Sequence, residues 1–197
     1  MESNERADAI GQKLQAAIRR ELRPFGVDGH RFRLMPPASE SRVQMIEATH
    51  DIKIPPDYRA FITRVAGGGA GPAYGLIPFE DAPAYERAGM RQGTLAKPFP
   101  LTSAYNPDDD PLGLQLRSSA GPLDGALAIC HEGCGHLHLL VVCGPAYGQM
   151  WCDGTVSDGG FASLGVGFFD WYERWLDDCL AGGDGVWWMR GSGPTRA

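Results

Sequence analysis

Apolar residues recur along this chain with two periods, and the change from one to the other divides it. Ile10, Leu14, Ala17, Ile18 and Leu22 return every three or four residues, which predicts an amphipathic helix over 5–22, capped by Ser3 or Asn4 and stopped by Pro24. Ser39 is placed to cap a short helix through Val43, Met45 and Ile46. "IPPDYRAFITRVA" opens on prolines, which the first helical turn tolerates, and carries Tyr58, Phe61, Ile62 and Val65 as its apolar stripe. Residues 82–126 give little periodicity. Beyond them the pattern becomes extended: "ALAIC" at 126–130, then "HLHLLVVCG", a turn at "GPAYG", and a return through "QMWCDG". The helical period comes back in "FFDWYERWLDDCL", whose broad face holds Phe168, Trp171, Tyr172, Trp175, Leu176 and Cys179. Trp171 and Trp175 are expected in the core. Gly182 is a natural stop. We expect one domain over 1–182 and a partly disordered tail over 183–197.

The stretch "RVAGGGAGPAYGLIPFED" carries five glycines between Gly67 and Gly75, a density that invites comparison with phosphate-binding loops. No Gly-Lys-Ser/Thr follows, so it is not a P-loop. The order is also reversed: a helix precedes the glycines and an extended run, "YGLIPF", follows, whereas an anion cradle needs the glycines to open a helix. The expectation is a structural joint where helix hands over to sheet.

"CHEGCGHLH" at 130–138 offers metal or nucleophile chemistry. If the strand alternation runs unbroken, Cys134, His136 and His138 share a face, and Cys130 across the turn could complete a zinc set. The spacing fits no common zinc pattern, and the competing reading packs these residues at a sheet edge without metal. Ser157 or Cys134 with His131 would make a hydrolytic pair only if geometry assembled them, and no G-x-S-x-G elbow is present. No cofactor is expected.

Charge changes the picture at the C-terminal end. Net charge is −6, and residues 130–197 hold three basic against eight acidic groups. Such a surface repels nucleic acid and suits a basic partner. Asp108, Asp109 and Asp110 in a turn, with Asp153, Asp158, Asp177 and Asp178 at predicted turns or on the outer side of the last helix, are the candidate partner-binding acids. No run approaches the length and hydropathy of a membrane span, and the first ten residues lack a basic start followed by an apolar core, so a cytoplasmic protein is expected.

Three segments in order resemble one family, the SUKH superfamily. "IEATHDIKIPPDYRAFITRVAGGGAGPAYGLIPFED" is similar to its glutamate, proline-led helix and glycine loop. "HEGCGHLHLLVVCGPAYGQMWCDGTVSDGG" resembles its central hairpin, and "FFDWYERWLDD" its closing helix. The likeness spans roughly 40–180, and reads Gly67, Gly71, Tyr74, Gly75, Gly135, Gly144, Gly148 and Trp151 as fold determinants. It implies an α+β fold with a mainly antiparallel sheet and helices packed on one side. Bacterial members are largely immunity proteins that bind and block a polymorphic-toxin domain, and a yeast relative regulates cell-wall synthesis. The resemblance therefore implies a cognate toxin domain as partner, carries over no catalytic residue, and makes a small-molecule substrate unexpected. A small metal-dependent hydrolase built on "CHEGCGHLH" is the alternative.

Overall fold

The computed structural model describes residues 3–87, 90–91, 94–109, 123–157 and 159–190. Helix α1 (Ser3–Arg19) buries Ala7, Ile10, Leu14 and Ala17, the stripe its spacing predicts. A short α2 (Val27–His30) follows, then α3 (Glu40–His50), where the Ser39 side chain accepts from the Arg42 amide at 3.2 Å. Helix α4 (Pro56–Arg64) starts on proline and sends Tyr58, Phe61 and Ile62 inward. Buried Glu47 joins α3 to α4: its carboxylate accepts from the Ile54 amide at 2.9 Å and meets the Arg59 guanidinium at 2.9 Å.

After a two-residue ribbon, β1 (Glu86–Arg87) with β2 (Met90–Arg91), the chain builds a four-stranded antiparallel sheet in sequence order: β3 (Ala126–Gly133), β4 (His136–Val141), β5 (Gln149–Asp153) and β6 (Phe161–Gly167). Helix α5 (Phe168–Leu180) closes it. The fold is α+β, as the pattern and the resemblance imply. Strand β6 was not legible in the sequence. Its glycines and its mixed burial blur the alternation on which a strand reading depends.

Side chains on both faces of β3 and β4 are buried, so each face needs a cover. Helix α5 covers one face, with Trp171 against His138 at a centroid distance of 5.0 Å. On the other lies irregular chain, with Phe99 against Trp151 at 5.1 Å. Trp171 and Trp175 are both fully buried, as expected. Gly167, the N-cap of α5, has no side chain to cap it; Asp57 of α4 does so instead, accepting from the Phe169 amide at 3.2 Å.

The glycine stretch is a joint. Gly69 exchanges backbone hydrogen bonds with Leu76, Ala70 donates to Arg33, and Tyr74 and Ile77 donate to His131 and Ile129 of β3. These amides are committed to protein carbonyls, so they are not a phosphate cradle. A Cβ at Gly69 would stand 2.4 Å from the Arg33 carbonyl oxygen, which only glycine avoids.

The chain stays packed beyond 182, inside the stretch expected as a tail. Val186 and Trp188 are buried, and a single turn, Trp187–Arg190, lies against α5, where the Arg174 guanidinium sits 4.1 Å over the Trp187 ring. The apolar "VWW" therefore finds a place in the core, as its burial energy requires.

Candidate functional site

The residues of "CHEGCGHLH" separate in the structure. Gly133, Cys134 and Gly135 all have positive φ (93°, 50° and 87°), which makes the Cys134–Gly135 link a tight hairpin turn. The strand alternation stops at that turn and restarts at His136. Cys134 is therefore exposed at the tip and His136 points to Ser157, 2.6 Å away, while His138 is completely buried. Cys130, Cys134, His136 and His138 are not gathered as one ligand group among the described residues, because a turn intervenes at Cys134. The His136–Ser157 contact is exposed, and His136 makes no hydrogen bond to a carboxylate among the described residues, so the orienting member of a hydrolytic triad is missing there.

Another set comes together beneath α5. The β3–β4 register pairs Cys130 with His138 and then slips between His131 and Gly133, a bulge that leaves Glu132 as the extra residue. On the far side of β4, His138 pairs with Cys152 of β5. Glu132, His138 and Cys152 thus meet across three strands. His138 Nε2 stands 2.6 Å from Glu132 Oε1, a close approach without the alignment of a hydrogen bond. The Cys152 thiol donates to Oε1 at 3.6 Å and the Trp188 indole N–H to Oε2 at 3.1 Å. Rings of Trp171 and Trp188 stand edge-on to the imidazole.

Burial works against charge on Glu132, but the neighbouring His138 and the indole and thiol donors outweigh it and hold the carboxyl below its usual range. Burial, reinforced by the Glu132 carboxylate, pushes the thiols of Cys130 and Cys152 well up, so neither is a ready nucleophile as it stands. Glu132 was missed in the sequence because a bulge leaves no periodic trace. Cys152 was seen only as part of a return strand.

The candidate partner-binding acids do not form one face. Asp153 is 1% exposed, and its Oδ1 accepts from the Thr155 amide and hydroxyl at 3.0 and 2.7 Å. It shapes a turn from the inside and is withdrawn from any contact surface. Asp177 pairs with Lys13 at 2.8 Å, and Asp178 accepts from the Gly185 amide at 2.8 Å. The outer side of α5 is in fact a seam with α1: Arg6 pairs with Asp170 and with Glu173 (2.6 Å), and Lys13 also reaches Glu173. Asp108 and Asp109 are exposed in a turn organised by Asn106, and Asp110 and Asp158 lie outside the described residues.

Three of the eight acids after residue 130, Asp170, Glu173 and Asp177, are thus answered by the N-terminal helix. The exposed cations are elsewhere. Arg19, Arg20, Arg23, Arg31 and Arg33 are exposed and make no ion pair among the described residues, against only Glu21 and Asp28 in the same stretch. Beside them Phe25 and Tyr74 are 44% and 46% exposed, with rings 5.8 Å apart edge to face.

An antiparallel four-stranded sheet, a glycine joint and a closing aromatic helix define a SUKH-type α+β domain. The chain belongs to the SMI1 / KNR4 family (SUKH-1), whose model matches residues 37–174, more than half of the chain. This family includes immunity proteins of polymorphic toxins. No curated protein and no solved structure matched the chain. Among the described residues no helix is long and apolar enough to cross a membrane.

Proposed function

We propose that this chain is a bacterial immunity protein, acting in the cytoplasm by binding a cognate toxin domain and blocking it without chemistry of its own. The family match over 37–174 is the observation that carries this reading. A toxin that turns over many substrates must be held tightly, and tight binding comes from a few aromatic and arginine anchors more than from diffuse charge.

The acidic residues after 130 suggest a basic toxin. Asp153 is buried and Asp177 is paired with Lys13, which weakens that reading, and we infer a different contact surface: Phe25 and Tyr74 flanked by Arg23 and Arg31. Phe25 and these arginines lie before residue 37, outside the matched region, where a family with a common scaffold has room to specify one partner. The surface fits an acidic rim around an apolar pocket on the toxin domain. The test is co-purification with the toxin domain encoded by the adjacent gene, followed by binding kinetics. A one-to-one complex is expected, with association slowed by salt and affinity reduced at least about tenfold by Phe25→Ala or Tyr74→Ala. Failure to bind that toxin at all would overturn the immunity reading. Binding unaffected by both substitutions would overturn only the surface.

A further inference from the structure

The buried row beneath α5 gathers three side chains of metal-ligating type that neither the family's binding role nor simple packing requires. We propose that Glu132, His138 and Cys152 form a structural zinc site. One ligand atom from each, a carboxylate oxygen, an imidazole nitrogen and a thiol sulfur, all lie within 4.8 Å of one another. In a tetrahedral zinc site, with bonds of about 2.0–2.3 Å, neighbouring ligand atoms are about 3.3–3.7 Å apart. The Sγ–Oε1 separation of 3.6 Å already has that size, the 2.6 Å Nε2–Oε1 edge must open by about 1 Å, and the imidazole–thiol edge, within 4.8 Å, closes by a comparable shift at most.

The setting has other marks of a metal site. The ligands sit on three hydrogen-bonded strands, two of them directly paired and the third brought in by a bulge, so their positions are rigid. His138 is fully buried, yet neither ring nitrogen has an aligned hydrogen-bond partner, an arrangement that native interiors rarely leave unanswered. The Trp188 indole holds Oε2 and so turns Oε1 towards the imidazole and the thiol, the part outer-shell donors play at metal centres. The tryptophan rings wall the imidazole from water. A carboxylate, an imidazole and a thiol together suit borderline Zn²⁺ better than hard Mg²⁺ or Ca²⁺. Cys130 lies in the same row, but its thiol donates to the Pro72 carbonyl at 3.2 Å and is left out of the ligand set. Binding displaces the Cys152 thiol proton to solvent and leaves a thiolate on the metal.

The experiment uses the full chain, stripped with a chelator and titrated with Co²⁺ and then Zn²⁺. One equivalent of cobalt should give a near-ultraviolet thiolate-to-cobalt band, which zinc should abolish by displacement, and zinc should raise Tm. Cys152→Ser should lose the band and bind zinc about a hundredfold more weakly or worse, whereas Cys134→Ser should behave as the parent. His138→Gln should lose binding as well; if it does not fold, Cys152→Ser decides alone. No thiolate band, no thermal shift in zinc excess, or binding that follows Cys134 instead of Cys152 would overturn the proposal.

Discussion

Helix α5 carries charge chemistry on both its sides, and the two sides differ in what they contribute. Towards α1, Asp170, Glu173 and Asp177 meet Arg6 and Lys13 in a seam whose side chains are 17–57% exposed. Towards the sheet, Trp171 lies on His138, which faces Glu132 with both side chains almost fully buried. The seam uses more charges and longer reaches, spanning some 160 residues of sequence. Water screens it, however, and the flexible side chains lose entropy in forming it, so each pair contributes about 0–1 kcal/mol. The inner contact is shielded from water and cannot be broken cheaply, because the surviving polar group is stranded in the interior. Abundance of ion pairs and dependence on them are therefore inverted across one helix.

Substitutions can break that contrast. Trp171→Ala should have the largest effect, on the order of 3–5 kcal/mol in denaturant unfolding, since it removes a fully buried ring and opens the wall over His138. Next comes Glu132→Ala in metal-stripped protein, which removes the acceptor of the Trp188 N–H and the Cys152 thiol and the group facing His138, and should cost about 3 kcal/mol. If Glu132→Ala were neutral, the inner pair would be idle and the contrast false.

A third test uses pH at a buried imidazole away from both sides of the helix. Burial lowers His30 to about 4, and its Nδ1 accepts from the Phe32 amide at 3.0 Å, as a neutral ring can. The unfolded chain binds this proton near the ordinary histidine value of 6.5. The unfolded state therefore holds more protons between the two values, and stability is full above about 6.5 and lost as pH falls towards about 4. The loss should be on the order of 2 kcal/mol, and a His30→Gln variant should flatten that part of the profile. A parent and variant with the same slope from pH 7 to 4 would contradict this.

The smallest effect belongs to the seam. Lys13→Ala should change stability by less than about 1 kcal/mol, and added salt should shrink even that. A loss comparable to that of Glu132→Ala would erase the distinction between the two sides.

What could be read in advance follows the same divide. The face of α5 that holds Trp171 and Trp175 was legible because helical spacing writes it directly into the order of residues. The partners of its other face were not, since Arg6 and Lys13 come from the opposite end of the chain and only the tertiary fold sets them beside Asp170 and Asp177. Counting acids after residue 130 suggests an exposed acidic face, whereas Asp170, Glu173 and Asp177 meet Arg6 and Lys13, and Asp153 is buried. In "CHEGCGHLH" the residue types are plain in the sequence, but which of them come together is not. A two-residue turn at Cys134 and a one-residue bulge at Glu132 both reset the alternation, and both depend on backbone conformation rather than composition. Asp153 reads as a turn residue in the sequence but ends β5, and its carboxylate faces inward to Thr155.

The central claim is that this SUKH-1 domain protects a cell from a toxin. Its most direct test is growth of cells in which the toxin domain encoded by the adjacent gene is induced, with and without this chain. We predict arrest without it and growth with it, and a loss of protection for the Phe25→Ala, Tyr74→Ala double variant that remains folded. Arrest of growth despite abundant, folded parent protein would contradict the account.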